Sequence, residues 1–151
     1  NLQKLVSEKT GLDNFDSLVA VPTGGLVIGS ALAIETVKPL IYVRDKPKDY
    51  GTTKSIEGKI FSGMKVILID DVITTGNSVI NAIKQLKDAG LSISDVYVII
   101  NRLEGANNTL ELEEVNLYQL TDVLEITTIL FQEKLVSKEI LDEINNQISQ
   151  N

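Results

Sequence analysis

The chain has 151 residues, 43% of them hydrophobic, which is enough for one domain with a substantial core. Its formal net charge of -7 opposes binding to nucleic acid or to an anionic membrane. The absence of cysteine and histidine excludes disulfides, thiol catalysis and the most common general base. No apolar run is long enough to span a membrane. We therefore expect residues 1–151 to form a single domain of a cytoplasmic protein.

Short apolar segments alternate with longer amphipathic ones along the chain. This alternation predicts parallel strands covered by helices, an α/β fold. The apolar segments give five predicted strands, at 17–21, 40–43, 65–69, 95–100 and 115–120.

The Ala, Gly and Ser content of residues 26–35 predicts a helix packed close against the sheet. Helical spacing of apolar residues predicts a second helix at 77–89, ended by Gly90. A further helix is predicted to begin at Ser137, which is a suitable N-cap residue. Residues 1–11 have the pattern of the end of a helix, so we expect that an N-terminal segment is missing from this chain.

Residues 44–63 form an unusually long connection for a compact fold. The segment carries five basic and three acidic residues in a chain that is acidic as a whole. A solvated surface loop would account for its length. A mobile lid that closes over an anion accounts for both its length and its charge.

The segment "VILIDDVITTGNS" at 66–78 places two carboxylates between a predicted strand and a predicted helix. The helix N-terminus and its small residues suit a phosphate. Asp70 and Asp71 suit a pair of vicinal sugar hydroxyls or a divalent cation. A ribose 5-phosphate satisfies both halves of the segment. In the alternative interpretation, Asp71 caps the helix and Asp70 lies at a hydrated strand end.

Four segments together carry a family resemblance: "VAVPTGG", "YVRDKPKDYGTTKSIEG", "VILIDDVITTGNS" and "INRLEGA". In these segments the chain resembles the type I phosphoribosyltransferases, and within them the orotate-specific enzymes. The resemblance implies a central, mostly parallel five-stranded sheet flanked by helices, with a long flexible catalytic loop. It also implies an N-terminal hood segment, which we expect to be missing from this chain.

The resemblance implies catalytic roles for Arg44, Lys48 and Asp71, with Lys48 supporting the departure of pyrophosphate. It implies that Thr74 and Arg102 contact orotate, since a planar guanidinium suits a carboxylate. The implied contacts of 5-phosphoribosyl 1-pyrophosphate (PRPP) lie in the first three segments. They are Thr23, Gly24, Gly25, Arg44, Lys48, Tyr50, Asp70, Asp71, Val72, Ile73, Thr74, Thr75, Gly76, Asn77 and Ser78.

The implied reaction joins orotate to PRPP and gives orotidine 5′-monophosphate and pyrophosphate, a step of pyrimidine biosynthesis. Mg²⁺ is expected to arrive with PRPP, with no direct protein ligand. The resemblance further implies a homodimer in which the lid of each subunit completes the neighbouring site. Two alternatives stay open: a phosphoribosyltransferase for another nucleobase, and a non-catalytic regulator that binds PRPP.

Overall fold

The computed structural model describes residues 1–44 and 55–149, which form an α/β fold around one sheet. The strand order is β3-β2-β1-β4-β5-β6, and every neighbouring pair is parallel except β2 with β3. The strands are β1 (Ser17–Ala20), β2 (Leu40–Val43), β3 (Ile56–Glu57), β4 (Lys65–Ile73), β5 (Ser92–Asn101) and β6 (Asn116–Asp122).

Six helices connect and cover these strands in the described part of the chain. None of them is long and apolar enough to cross a bilayer. The helices are α1 (Leu2–Lys9), α2 (Gly24–Thr36), α3 (Asn77–Asp88), α4 (Ala106–Glu111), α5 (Val123–Gln132) and α6 (Lys138–Ile148).

The two faces of the sheet carry separate hydrophobic cores, because successive side chains of a strand point to opposite faces. On one face, Ile83 of α3 belongs to the same buried cluster as Leu68 of β4. On the other face, Val6 of α1 and Leu32 of α2 belong to a cluster with Ile67 of β4. The central strands are therefore buried on both sides, as expected for a parallel sheet.

The five predicted strands and the predicted α/β fold are confirmed. The sheet has a sixth strand, β3, whose two residues are too few to produce a recognisable alternation. The prediction ended β4 at Ile69, but the strand continues to Ile73 because its parallel pairing with β5 continues, with Ile73 opposite Asn101.

The predicted helices are also present, with α2 beginning two residues before its predicted start. Gly90 ends α3 with a positive φ of 81°, and Ser137 is the N-cap of α6. The short helix α4 and the helix α5 were not predicted. The helix α4 follows the loop after β5, and α5 begins directly after β6, with Asp122 as its N-cap.

A buried hydrogen-bond network attaches the end of α1 to the sheet. The hydroxyl groups of Thr10 and Tyr97 lie 2.6 Å apart, and Thr10 also donates to Asp95 Oδ2 at 2.9 Å. The ring of Tyr97 stacks on that of Tyr118, with 5.1 Å between the centroids. Burial raises the pKa of Tyr97 to about 12, so its hydroxyl stays protonated at neutral pH.

We expect Tyr97→Phe to lower the free energy of unfolding by about 1 kcal/mol, the usual net value of a buried hydrogen bond. Urea denaturation at pH 7 measures the change. Tyr118→Phe is the matched control, because its hydroxyl makes no hydrogen bond within the described residues. Equal losses in the two variants would show that the link to Thr10 contributes nothing specific.

Candidate active site

The carboxyl ends of β1, β2, β4 and β5 meet at one edge of the sheet. The loops that follow these strands therefore lie close together, and open parallel sheets bind their ligands at this edge. Each sequence segment that carried a predicted role runs from one of these strands into the loop that follows it.

A small pocket of about 80 Å³ opens where β4 turns into α3. It is lined by Asp70 and by every residue from Val72 to Val79. Gly76 adopts a positive φ of 85° and forms the N-cap of α3, with its carbonyl accepting from the Ile80 N–H at 2.9 Å. The pocket thus lies at a helix N-terminus, where unpaired N–H groups and the helix dipole favour an anion.

The first turn of α2 lies directly against the two acids of β4. A Cβ on Gly24 would overlap the carboxylate of Asp71. A Cβ on Gly25 would lie 2.6 Å from the carbonyl oxygen of Ile69. Position 25 therefore requires glycine, because a Cβ there would meet backbone, whereas a side chain at position 24 would displace the Asp71 carboxylate. The result is a second helix N-terminus beside the acids. The peptide bond before it, between Pro22 and Thr23, is cis.

Asp70 is an unusual acid because its side chain is only 7% exposed. Its Oδ1 accepts a hydrogen bond from the backbone N–H of Asp71 at 2.9 Å. Burial, and to a lesser extent the neighbouring Asp71 carboxyl group, raise the pKa of Asp70 to about 7. A ligand that donates hydroxyl groups to this carboxylate would offset the cost of its burial, so Asp70 is poised for binding.

Arg44 follows β2 at the same edge of the sheet. Its Nη2 lies 2.7 Å from Glu57 Oε1, and its backbone N–H donates to the Ser55 carbonyl at 2.7 Å. Its Nε is buried without a hydrogen-bond partner among the described residues. Arg44, Pro22 and Ser78 line one groove of about 170 Å³, so the arginine faces the loops predicted to bind the anion.

Arg102 begins the loop after β5, next to the pocket of about 80 Å³ at the N-terminus of α3, which we call the phosphate-type pocket. Its backbone N–H donates to the carbonyl of Ile73 at 2.9 Å, which extends the β4–β5 pairing by one bond. Its Nη2 pairs with Glu104 Oε1 at 2.6 Å, and its side chain is 55% exposed. Arg102 and Glu104 both line a small pocket together with Val123 and with Ile148 of α6.

The structure thus brings together the predicted residues 23–25, 70–78 and Arg44. The side chain of Arg102 lines a separate pocket beside α6, and only its backbone bond to Ile73 joins it to this group. Lys48 and Tyr50 lie outside the described residues. The sequence analysis assigned no role to Glu57 and Glu104, which pair with the two arginines. Both glutamates stand in the quoted segments, but spacing alone did not indicate their partners.

The oxygen ligands that the protein offers at this site suit a magnesium ion only when a substrate supplies further ligands. Mg²⁺ is commonly held by one or two carboxylates together with substrate phosphates and water. Within residues 1–44 and 55–149, no cluster of three or more acidic, histidine or cysteine side chains forms a ligand set. Asp70 and Asp71 are the carboxylates beside the pocket, so a phosphate-bearing substrate would have to supply other ligands.

Comparison with known proteins identifies the class to which this fold and site belong. The phosphoribosyl transferase domain family matches residues 1–120, and the chain belongs to that family. An orotate phosphoribosyltransferase of Cenarchaeum symbiosum is 42% identical over 146 residues, which are 97% of this chain and 72% of the relative. That of Pyrococcus furiosus is 41% identical over 127 residues, 83% of this chain and 70% of the relative.

A solved structure supports the same assignment. The crystal structure of orotate phosphoribosyltransferase from Aeropyrum pernix matches with a TM-score of 0.74 at 33% identity. The match covers 90% of this chain and 76% of that one. The chain is therefore similar to orotate-specific members of the family in both sequence and fold.

We expect Asp70→Asn to stabilise the protein at pH 8, because it removes a buried carboxylate. Asp70 has a higher pKa in the folded protein, about 7, than its ordinary value of 3.8. Its unfavourable contribution is therefore absent below pH 4 and develops as the pH rises to 7. The gain should be on the order of 4 kcal/mol at pH 8 and should shrink toward pH 4.

Urea unfolding of the wild type and the variant across this pH range measures the difference. Asp142→Asn, at an exposed position of α6, is the control for a general change in net charge. A gain for Asp70→Asn that did not depend on pH would contradict this account.

Proposed function

We propose that this chain transfers the phosphoribosyl group of PRPP to orotate. The observation that carries the proposal is the hydrogen bond between Arg102 and Ile73. The bond ties the residue that carries a guanidinium, the natural partner of a carboxylate, to the backbone of Ile73, which lines the pocket suited to phosphate. The chain is thus an orotate phosphoribosyltransferase, an enzyme of pyrimidine biosynthesis, as its archaeal relatives are named.

PRPP would occupy the edge of the sheet with its three parts in separate places. The 5-phosphate binds at the N-terminus of α3, in the pocket lined by residues 72–79. Asp70 and Asp71 accept hydrogen bonds from the ribose hydroxyls. The pyrophosphate lies between the first turn of α2 and Arg44, since Arg44 lines one groove with Pro22, which shortly precedes that turn. Lys48 and Tyr50 complete the pyrophosphate contacts from the catalytic loop.

In the reaction, a ring nitrogen of orotate forms the new bond to C1 of the ribose while the bond to pyrophosphate breaks, and the proton of that nitrogen passes to the departing pyrophosphate or to solvent. Arg44 and Lys48 balance the negative charge that the leaving group gains, and Asp71 holds the ribose as its ring becomes positively charged. When bound with PRPP, Mg²⁺ neutralises further charge on the pyrophosphate. Positioning and electrostatics supply the catalysis, so a chain without histidine can perform it.

We expect Lys48→Ala and Asp71→Asn each to lower orotate turnover at least about 100-fold, since each removes a charge that acts on the transition state. The loss of orotate absorbance, with PRPP and Mg²⁺ present, measures turnover. Lys84→Ala, at an exposed position of α3, is the control and should retain wild-type activity.

Calorimetric titration with PRPP separates the alternatives if orotate is not consumed. PRPP binding that depends on Asp71, with turnover of another base, would indicate a transferase of different specificity. Binding without turnover of any base would indicate a regulator. Either result would contradict the orotate assignment.

We propose further that the protein acts in the cytoplasm as a homodimer, with the catalytic loop of one subunit reaching the site of the other. Support comes from α2, whose outer face exposes Val27, Ile34 and Val37. A helix that is apolar on all sides normally buries its outer face against another surface. This apolar face lies on the helix that begins at the site, because α2 starts with the two glycines beside Asp70 and Asp71.

We expect Ile34→Glu to convert the dimer to monomers and to reduce activity, because it places a charge in the apolar face. Sedimentation equilibrium together with the orotate assay measures both effects. The control is Leu112→Glu, because Leu112 is 87% exposed and Ile34 is 81% exposed. A dimer that tolerates Ile34→Glu but dissociates with Leu112→Glu would place the interface elsewhere.

A further inference from the structure

The strand that leads to Arg102 ends in a fully buried polar side chain, Asn101. We infer that Asn101 is a positioning residue, which sets the place of Arg102 and thereby the affinity for a carboxylated base. This inference rests on the proposed function, because it concerns the base-binding half of the same site. Asn101 does not line the phosphate-type pocket, so it would act on the base through Arg102.

Backbone pairing fixes where Asn101 stands. It lies opposite Ile73 of β4 on one side and opposite Asp122 of β6 on the other. The next residue, Arg102, donates its backbone N–H to Ile73. Asn101 is thus the last residue of β5 that pairs with strands on both sides. Arg102 follows it as the chain leaves the sheet.

The side chain of Asn101 joins three parts of the structure. Its Oδ1 accepts from the backbone N–H of Leu103 at 2.9 Å. Its Nδ2 donates to Asn107 Oδ1 of α4 at 2.9 Å and to Gln119 Oε1 of β6 at 3.3 Å. Because the side chain is buried, these bonds are shielded from water, and the loss of one leaves an unsatisfied group.

The loop needs this support because its backbone conformation is unfavourable. Leu103 has a positive φ of 59°, which a leucine rarely adopts, and Gly105 follows with a φ of 96°. Such a residue persists where its surroundings hold it in place, and Asn101 holds its N–H. Leu103 separates Arg102 from Glu104, so its conformation decides whether their side chains can pair, as they do at 2.6 Å.

Asn101→Leu tests the inference, since it has a similar size but no polar atom. We expect about a tenfold rise in KM for orotate, because a small displacement of a binding group is costly. The KM for PRPP should stay within about twofold of wild type, because the phosphate-type pocket is untouched. Asn101→Asp keeps the acceptor for Leu103 but loses the two donations of Nδ2, so its orotate KM should lie between those of wild type and Asn101→Leu.

The chain offers a matched control at the other end of β5. Asp95 is also buried, and it accepts hydrogen bonds from Thr10, Ser94 and Asn116. Asp95→Leu should lower the melting temperature at least as much as Asn101→Leu. Both KM values should remain within about twofold of wild type, since Asp95 is remote from the site.

Asn107→Ala covers the case in which Asn101→Leu does not fold. Asn107 is exposed, so its removal takes one partner from Asn101 without opening the core. We expect about a threefold rise in the orotate KM, with the PRPP KM unchanged.

The wild-type assay separates the two levels of the argument. Wild type that does not consume orotate would overturn the proposed function. Wild type that consumes orotate, with an unchanged orotate KM in Asn101→Leu, would overturn the positioning role alone. If Asn101→Leu does not fold, an unchanged orotate KM in Asn107→Ala would overturn the positioning role instead. Parallel rises in the KM for orotate and PRPP in Asn101→Leu would show that Asn101 has only a structural role. A rise in the orotate KM for Asp95→Leu would show the same.

Discussion

The close approach of α2 to β4 is the constraint on which the site depends. Because Gly24 and Gly25 carry no side chain, the first turn of the helix rests on the carboxylates of Asp70 and Asp71. One strand therefore places its acids between two helix N-termini, that of α2 and that of α3. Two regions that favour anions then flank a pair of hydroxyl acceptors, which matches the distribution of groups on PRPP.

This arrangement opposes stability at several positions. Asp70 is buried with its pKa raised to about 7, and glycine begins a helix where alanine would be more favourable. Leu103 adopts a left-handed conformation beside Arg102. Unfavourable local features that gather at one edge of the sheet are typical of functional sites, because binding requires geometry that folding alone would not select.

The two arginines of the site are held in a similar way. Arg44 pairs with Glu57 from the edge strand β3, and Arg102 pairs with Glu104 in its own loop. Partly exposed ion pairs contribute little to the free energy of folding. Their effect is to orient two long side chains, so that less conformational entropy is lost when an anion binds.

Local features of the sequence determined several secondary-structure elements and one part of the candidate site. The strand at 40–43, the end of α3 at Gly90 and the N-cap at Ser137 follow from short-range preferences, since apolar runs, glycine and serine act within one turn. The segment 66–78 indicated a site for ribose and phosphate because its acids and small residues are adjacent in the chain. Lys48 and Tyr50 remain predictions of the sequence alone.

Only the tertiary structure decided the features that depend on residues far apart in the chain. The extension of β4 to Ile73 follows from pairing with β5, and the raised pKa of Asp70 follows from the packing of α2 over it. The link from Asn101 to Gln119 needs two adjacent strands. A sequence pattern records the preferences of neighbouring residues. Hydrogen-bond partners across a sheet and the burial of a charge arise only when the chain is folded.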